Sequence, residues 1–312
     1  MIVVGGENLI DMVQVQEPSQ WPRFEGIPGG APYNVALACA RQGRDVGYAT
    51  PISNDTLGHN LADRVITDGV TLLAERRDEP SSMAVVSLID GQAQYAFYRE
   101  GTAERCVTLE SVRDSIPAQT KVVMVGGLAI TGGADAQIWH DIYSECHGRG
   151  IITAMDPNIR KLMISDRAAY LARFESMLTI TDMLKLSDED LEWLYPGVSP
   201  ADGLELLRDK TTARLIVVTK GGEGAIGVVD GTVIEVAAGH ADPFMDTVGA
   251  GDTFMATLLA ELDRRAQTRA DFAGLTAIDL QSMMERAALA AAINCSRSGC
   301  NPPYAHELPS QD

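Results

Sequence analysis

The sequence predicts an α/β fold: a doubly wound, mostly parallel sheet with helices on both faces and a small β subdomain projecting from it. Three observations lead there. Short runs that are apolar at nearly every position alternate with longer stretches of helical spacing, as doubly covered strands and their crossover helices require. Two β-rich stretches early in the chain break that alternation. No repeat, low-complexity tract or Pro/Ser linker divides the chain, so residues 1–312 read as one unit.

Taken in order, the strand-like runs are Ile2-Val3-Val4, Val122 to Val125, Ile151 to Ala154 and Leu215 to Val218. Helices are predicted at about 32–43, 56–68, 134–148, 166–178, 201–210, 251–266 and 282–297. After Gly251, Phe254, Leu258 and Leu262 recur at i, i+4 and i+8, giving one apolar face. The small β subdomain is predicted over about 11–25 and 80–106. Its first part holds Val13, Val15, Trp21 and Phe24 without helical spacing. Its second is a hairpin in which Asp90-Gly91 turns between Met83–Ile89 and Gln92–Tyr98.

Composition excludes several function classes. With 46% hydrophobic and 22% charged residues the chain is ordinarily globular. Its formal charge of −18 repels phosphate backbones and anionic lipid, so neither nucleic acid nor a membrane surface is an expected partner. No run approaches the roughly 20 apolar residues that span a bilayer. The opening Met1 to Asp11 has no basic region and reads as a strand, so no signal peptide is expected. Five scattered cysteines without a C-x-x-C pattern read as free thiols in a reducing, cytoplasmic setting. The five histidines fit no metal-ligand spacing and receive no role.

The strongest local signal is Asp246-Thr247-Val248-Gly249-Ala250-Gly251-Asp252-Thr253 ahead of an amphipathic helix. Small residues at 249–251 allow successive backbone N–H groups to converge at a helix start, which is an anion site. Asp252 in the first turn either complements the helix dipole or acts beside the anion. A carboxylate there suits phosphoryl transfer to an alcohol, taking the hydroxyl proton while backbone dipoles stabilise the transferred group. Gly29-Gly30 reads as a turn before a helix, and Asn34 beyond it offers a donor and an acceptor to a polyol. Asp11, expected at the end of a buried strand, needs a partner that a ligand hydroxyl or a backbone N–H supplies equally well. The Gly-rich turn Thr219 to Gly224 is neither a P-loop nor a dinucleotide fingerprint, and protein-kinase signatures are missing.

Together these elements resemble the PfkB/ribokinase family of carbohydrate kinases, fructokinase-like members in particular. The resemblance rests on Gly249 to Asp252, on Gly29-Gly30-Ala31-Pro32-Tyr33-Asn34 and on Gly5 to Asp11. It also rests on Asp156-Pro157-Asn158-Ile159-Arg160, on Lys185 to Asp190 and on Thr219 to Gly224, all in matching order. It implies a ribokinase-like fold in which the β subdomain at about 11–25 and 80–106 is a lid over the sugar, and ATP-dependent phosphorylation of a sugar hydroxymethyl group. Asp252 is then the base, and Gly249, Ala250 and Gly251 form the anion hole. Asp11, Gly29, Gly30, Asn34, Arg99, Asn158 and Arg160 hold the substrate, Arg99 reaching it from the lid beside Arg105. Lys185, Thr219, Gly221, Gly222 and Gly224 attend the nucleotide, and Asn294 lies near adenine. Mg2+ is held largely by nucleotide oxygens, with Asp190 as an indirect metal residue. The resemblance leaves open K+ as a monovalent cation and a homodimer as the assembly. Fructose is the expected sugar, 2-keto-3-deoxygluconate the runner-up, and a catalytically silent regulator the remaining alternative.

Three positions depart from the family pattern. Thr257 stands one turn past Asp252, Asp190 stands where the pattern has Glu, and Thr50 to Asp55 replaces a G-x-D turn.

Overall fold

The computed structural model describes residues 1–15, 21–89 and 92–310. The predicted Asp90-Gly91 turn and residues 16–20 of the first lid stretch lie outside the described residues. The chain begins with β1 (Ile2–Gly5), β2 (Leu9–Gln14), β3 (Phe24–Gly29), α1 (Ala31–Arg41), β4 (Val46–Tyr48), α2 (Thr56–Thr67) and β5 (Thr71–Leu72). Next come β6 (Met83–Ile89), β7 (Gln92–Tyr98), α3 (Leu109–Ser115), β8 (Val122–Gly126), α4 (Ala134–Gly148), β9 (Ile152–Asp156) and α5 (Arg167–Leu178). There follow β10 (Met183–Ser187), α6 (Asp188–Leu194), α7 (Pro200–Arg208), β11 (Leu215–Thr219), β12 (Ala225–Val229) and β13 (Thr232–Val236). The last helices are α8 (Ala250–Arg265), α9 (Arg269–Ala273) and α10 (Ala277–Cys295).

Nine strands form the main sheet in the order β13-β12-β11-β10-β9-β8-β1-β4-β5. All neighbours pair in parallel except the β11/β12 and β12/β13 pairs. The unbroken apolar runs are explained by what each side chain meets. Ile2, Val4, Val122, Met124, Leu215 and Val217 enter the core cluster on one face, with α1, α8 and α10. Val3, Val123, Val125, Ile216 and Val218 enter the opposite cluster, with α4 and α5. Polar residues at either set of positions would bury unpaired groups, so neither face tolerates alternation.

The smaller sheet runs β3-β2-β6-β7, with β2/β6 parallel and the other pairs antiparallel. It rests on Leu9, Ala84 and Leu128, with Phe97 and Met163 against them. One expectation is corrected here. Asp11 does not end the opening buried strand: β1 stops at Gly5, and Asp11 lies within β2, opposite Ile27 of β3 and Ala84 of β6. Sequence alone ran two strands together because only the Gly6–Asn8 turn separates them.

Side-chain caps set the starts of α2 and α10. Asp55 accepts the Gly58 N–H at 2.6 Å and starts α2, so the unusual Thr50 to Asp55 segment is a working N-cap. The α10 helix begins at Ala277 rather than 282 because Thr276 and Asp279 form a capping box ahead of the apolar periodicity.

Candidate active site

The main sheet reverses its winding at β1, which lies between β8 and β4. In such sheets the crevice beyond the carboxyl ends of the strands at that point is where ligands bind. The turns after β1, β8, β9 and β10 open there, and the start of α8 reaches it.

Gly249 caps α8 in the left-handed conformation (φ 74°), and a side chain there would collide with Cys300. The amides of Gly251 and Asp252 lie in the first turn, where the helix itself offers them no acceptor. Ala250 departs from expectation: its N–H donates to Thr247 O at 3.1 Å and closes the turn instead of lining the anion hole. A side chain on Gly251 would sit 3.2 Å from Lys185 Nζ, so an ammonium lies directly beside this cradle.

Lys185 and Asp156 form a buried ion pair at 2.9 Å. Burial works against the Lys185 charge, and Asp156 outweighs it, leaving Lys185 held above its usual pKa. Asp156 also accepts the Asn158 N–H at 3.1 Å, and Asn158 takes a positive φ of 39° to make the turn. This turn ends at the exposed Arg160. The charge of Arg160 partly offsets the rise that burial imposes on the pKa of both Asp11 and Asp252.

Asp252 is 8% exposed and accepts the Asn34 Nδ2–H at 2.8 Å. Burial pushes its pKa up to about 6; Asn34, Lys185 and Arg160 pull it down, and Asp156 pushes it up. The Asn34 amide, expected on the sugar, therefore spends its N–H on Asp252, while its buried Oδ1 has no partner. The helix pair continues the same register. Cys39 donates to Ala256 O, and Gln42 donates to Thr257 Oγ1 at 2.8 Å. Thr257, the departure beyond Asp252, is thus a fully buried bridge between α1 and α8. Asp11 is pushed up to about 6 by burial, and its carboxylate fills the space a side chain on Gly29 would need. Gly30 turns the chain at φ 112° against Glu7 O, leaving no room for a side chain there.

Other expected residues stand apart. Arg99 does not reach outward: its Nε and Nη2 grip both oxygens of Glu104 at 2.8 and 3.0 Å, with both side chains buried. Arg105 pairs with Asp135 and Glu100. Asn294, expected near adenine, is fully buried and braces the anion loop. It donates to Val248 O at 2.7 Å and accepts the Asn301 N–H at 2.8 Å. Asp190 spends both oxygens on backbone, one on Ile159 N–H and one in the capping box with Ser187. Through these contacts it orders the Asn158–Arg160 turn. Thr219 hydrogen-bonds Leu186 O at 3.4 Å. Gly221 and Gly222 are exposed beyond β11, whereas Gly224 is buried and leaves no room for a side chain against Val236 O. Among the described residues no group of three or more metal-ligating side chains forms.

Sequence reasoning missed Glu7. It is 4% exposed at the switch point, and its two oxygens accept the N–H groups of Ala31 and Leu128. A glutamate next to an apolar strand was the one available signal.

Residues 1–307 match the model of the pfkB family carbohydrate kinases. The chain belongs to this family. The kinase is 34% identical over 263 residues to a fructokinase of Rhizobium leguminosarum bv. trifolii, covering 84% of this chain and 79% of that protein. It is 28% identical to a probable fructokinase-3 of Arabidopsis thaliana, covering 84% and 77%. Among solved structures, a fructokinase with bound ATP from Xylella fastidiosa superposes with a TM-score of 0.85 at 24% identity. That match covers 99% of the kinase and 94% of the other chain, and it fixes the shared fold, lid sheet included. No described helix of the kinase is long and apolar enough to cross a membrane.

Proposed function

We propose that the protein transfers the γ-phosphoryl group of ATP to the hydroxymethyl group of fructose. The observation that carries the transfer is Asp252: a buried carboxylate in the first turn of a helix whose free amides sit beside a lysine ammonium. Asp252 takes the sugar hydroxyl proton as its oxygen attacks the γ-phosphorus, and the bond to the β-phosphate oxygen breaks. The Gly251 and Asp252 amides, with Lys185 and Arg160, stabilise the transferring group, while Asp11 and the free Asn34 Oδ1 accept sugar hydroxyls. The exposed Gly221-Gly222 turn offers its backbone to the nucleotide. Closure of the small sheet over the sugar excludes water.

The donor set fits the triphosphate but offers no direct nest for a divalent ion, since Asp156 and Asp190 are already engaged. Mg2+ would arrive with the nucleotide and neutralise phosphate charge, keeping waters as it prefers to. A monovalent cation belongs to the same proposal; a Vibrio cholerae fructokinase of TM-score 0.81 is described with bound potassium. Replacing KCl by choline chloride in the assay tests it. A cytoplasmic setting agrees with the five free cysteines. Exposed Val13, Trp21, Phe24 and Tyr98 on or beside the small sheet support a homodimer through that sheet, which sedimentation tests.

A neutral ketose is favoured over a sugar acid because both lid arginines are already paired, and Asp11 repels a carboxylate. Measured at saturating ATP, kcat/KM for fructose should exceed that for 2-keto-3-deoxygluconate at least about tenfold, or about 1.4 kcal/mol. The reverse order would assign the sugar acid, and no turnover of any sugar would leave a silent regulator.

A further inference from the structure

We propose that Glu7 is a positioning residue for phosphoryl transfer, clamping the start of α1 to the turn after β8 so that the Asn34 amide stays on Asp252. The proposal rests on Asp252 being the base. Glu7 occupies the turn between β1 and β2, where the main sheet reverses its winding. Its Oε1 accepts the Ala31 N–H at 3.0 Å, and Ala31 is the first residue of α1. Its Oε2 accepts the Leu128 N–H at 2.8 Å, in the short 3-10 turn that follows β8. Asn34 stands one turn along α1 from the clamped amide, and its N–H meets Asp252.

The clamp has little slack. A side chain on Gly127 would lie 2.5 Å from Glu7 Oε2, and one on Gly30 would lie 2.5 Å from Glu7 O. Glycine on both flanks lets the carboxylate reach two donors from different layers of the fold. The chemistry requires a carboxylate: two N–H donors need two acceptors, and a glutamine has one. Its NH2 would face one of the two backbone donors and leave that donor buried without a partner. Arg99 faces Glu7 from the end of β7 and favours its charge, while the Tyr48 hydroxyl lies close by on β4. Burial nevertheless pushes the Glu7 pKa up to about 7. A position that only had to fill space would not hold an acid at that cost.

The consequence at Asp252 is specific. Asp156, Lys185, Arg160 and Cys300 also face Asp252, and the Asn34 N–H favours its ionised form. If α1 slips and the amide withdraws, the Asp252 pKa rises. Loss of the Glu7 charge acting directly would move it the other way, so the direction of the shift identifies the route.

The test is the pH profile of kcat/KM from pH 5 to 9 for Glu7→Gln, Glu7→Asp, Asn34→Ala and the double variant Glu7→Gln/Asn34→Ala, with circular dichroism to select folded proteins. Glu7→Gln should lower kcat about tenfold or more and move the acid limb up by about one pH unit, as should Asn34→Ala. The double variant should move it no further than Asn34→Ala does, and Glu7→Asp, which keeps two acceptors, should recover part of the loss. A folded Glu7→Gln with an unmoved limb, while Asn34→Ala moves it, overturns the proposal and spares Asp252 as the base. If Glu7→Gln does not fold, Glu7→Asp must show a smaller shift in the same direction, since its shorter side chain loosens the clamp, and an unmoved limb there overturns the proposal equally. If Asp252→Asn remains active and no variant moves the limb, the base assignment falls and the proposal with it.

Discussion

Asp252→Asn should make the kinase nearly inactive and more stable at once. In the folded protein the Asp252 pKa is raised from 3.8 to about 6, chiefly by burial. A raised acid pKa means that stability is fully present below the unfolded value and is lost as pH climbs through the folded one. Above pH 6 the difference of about two units costs about 3 kcal/mol, at 1.36 kcal/mol per unit. By pH 5 linkage reduces that cost to roughly half. Asparagine carries no such charge, and its carbonyl still accepts the Asn34 N–H, so the variant recovers the difference. At about 2.1 cal/mol/K of unfolding entropy per residue, 312 residues convert 3 kcal/mol into about 5 °C of melting temperature. Loss of the proton acceptor should meanwhile reduce kcat about 10²- to 10⁴-fold. Coupled ADP release and calorimetry at pH 7.5 and 5 measure both effects. A variant that keeps more than a tenth of the activity, or melts lower at pH 7.5, refutes the reasoning.

For the unaltered kinase, kcat/KM should begin to fall below about pH 7, where Glu7 protonates, and fall about tenfold or more per pH unit below about 6, because Asp252 must be ionised to accept a proton. A flat profile between pH 7 and 5 would contradict this. Gly251→Val should crowd Lys185 Nζ and the phosphoryl site, lowering kcat/KM for ATP at least about tenfold, and unchanged kinetics in a folded variant would move the phosphates elsewhere. Arg99→Ala should act mainly on stability. It strands the buried Glu104, at a cost of about 3–5 kcal/mol in denaturant unfolding, and a changed sugar KM with unaltered stability would restore Arg99 to the sugar.

Much of this was legible in advance where a single physical demand sets the residues. Doubly covered strands must be apolar throughout, so Val122 to Val125 and Leu215 to Val218 were recognisable, and the Asp252 helix carried its apolar stripe openly. Short elements were not. The Val46–Tyr48 strand has three residues, too few to show a period, and the seven-residue α6 begins inside the Lys185–Asp190 motif, too short to show a helical face of its own. The β12/β13 hairpin turns at Asp230-Gly231, the same signal used for Asp90-Gly91 but not read there. At the site, the sequence displays residue types but conceals which partner reaches them first. Arg99, Asn294 and Asp190 have the right chemistry for ligands, yet Glu104, Val248 O with the Asn301 N–H, and backbone amides respectively take their contacts.

The brace on the anion loop also sets an order of events during synthesis. Asp246 accepts the Gly299 N–H, 53 residues further along the chain, and Cys300 packs where Gly249 has no side chain. Arg41 and Arg64 bind the carbonyls of Pro302 and Cys300 and draw that segment onto α1 and α2. A ribosome therefore finishes Asp252 and its helix long before it makes the residues that hold them in place. Until the 299–302 segment has been made, the nascent chain lacks the contacts that brace the loop ahead of Asp252.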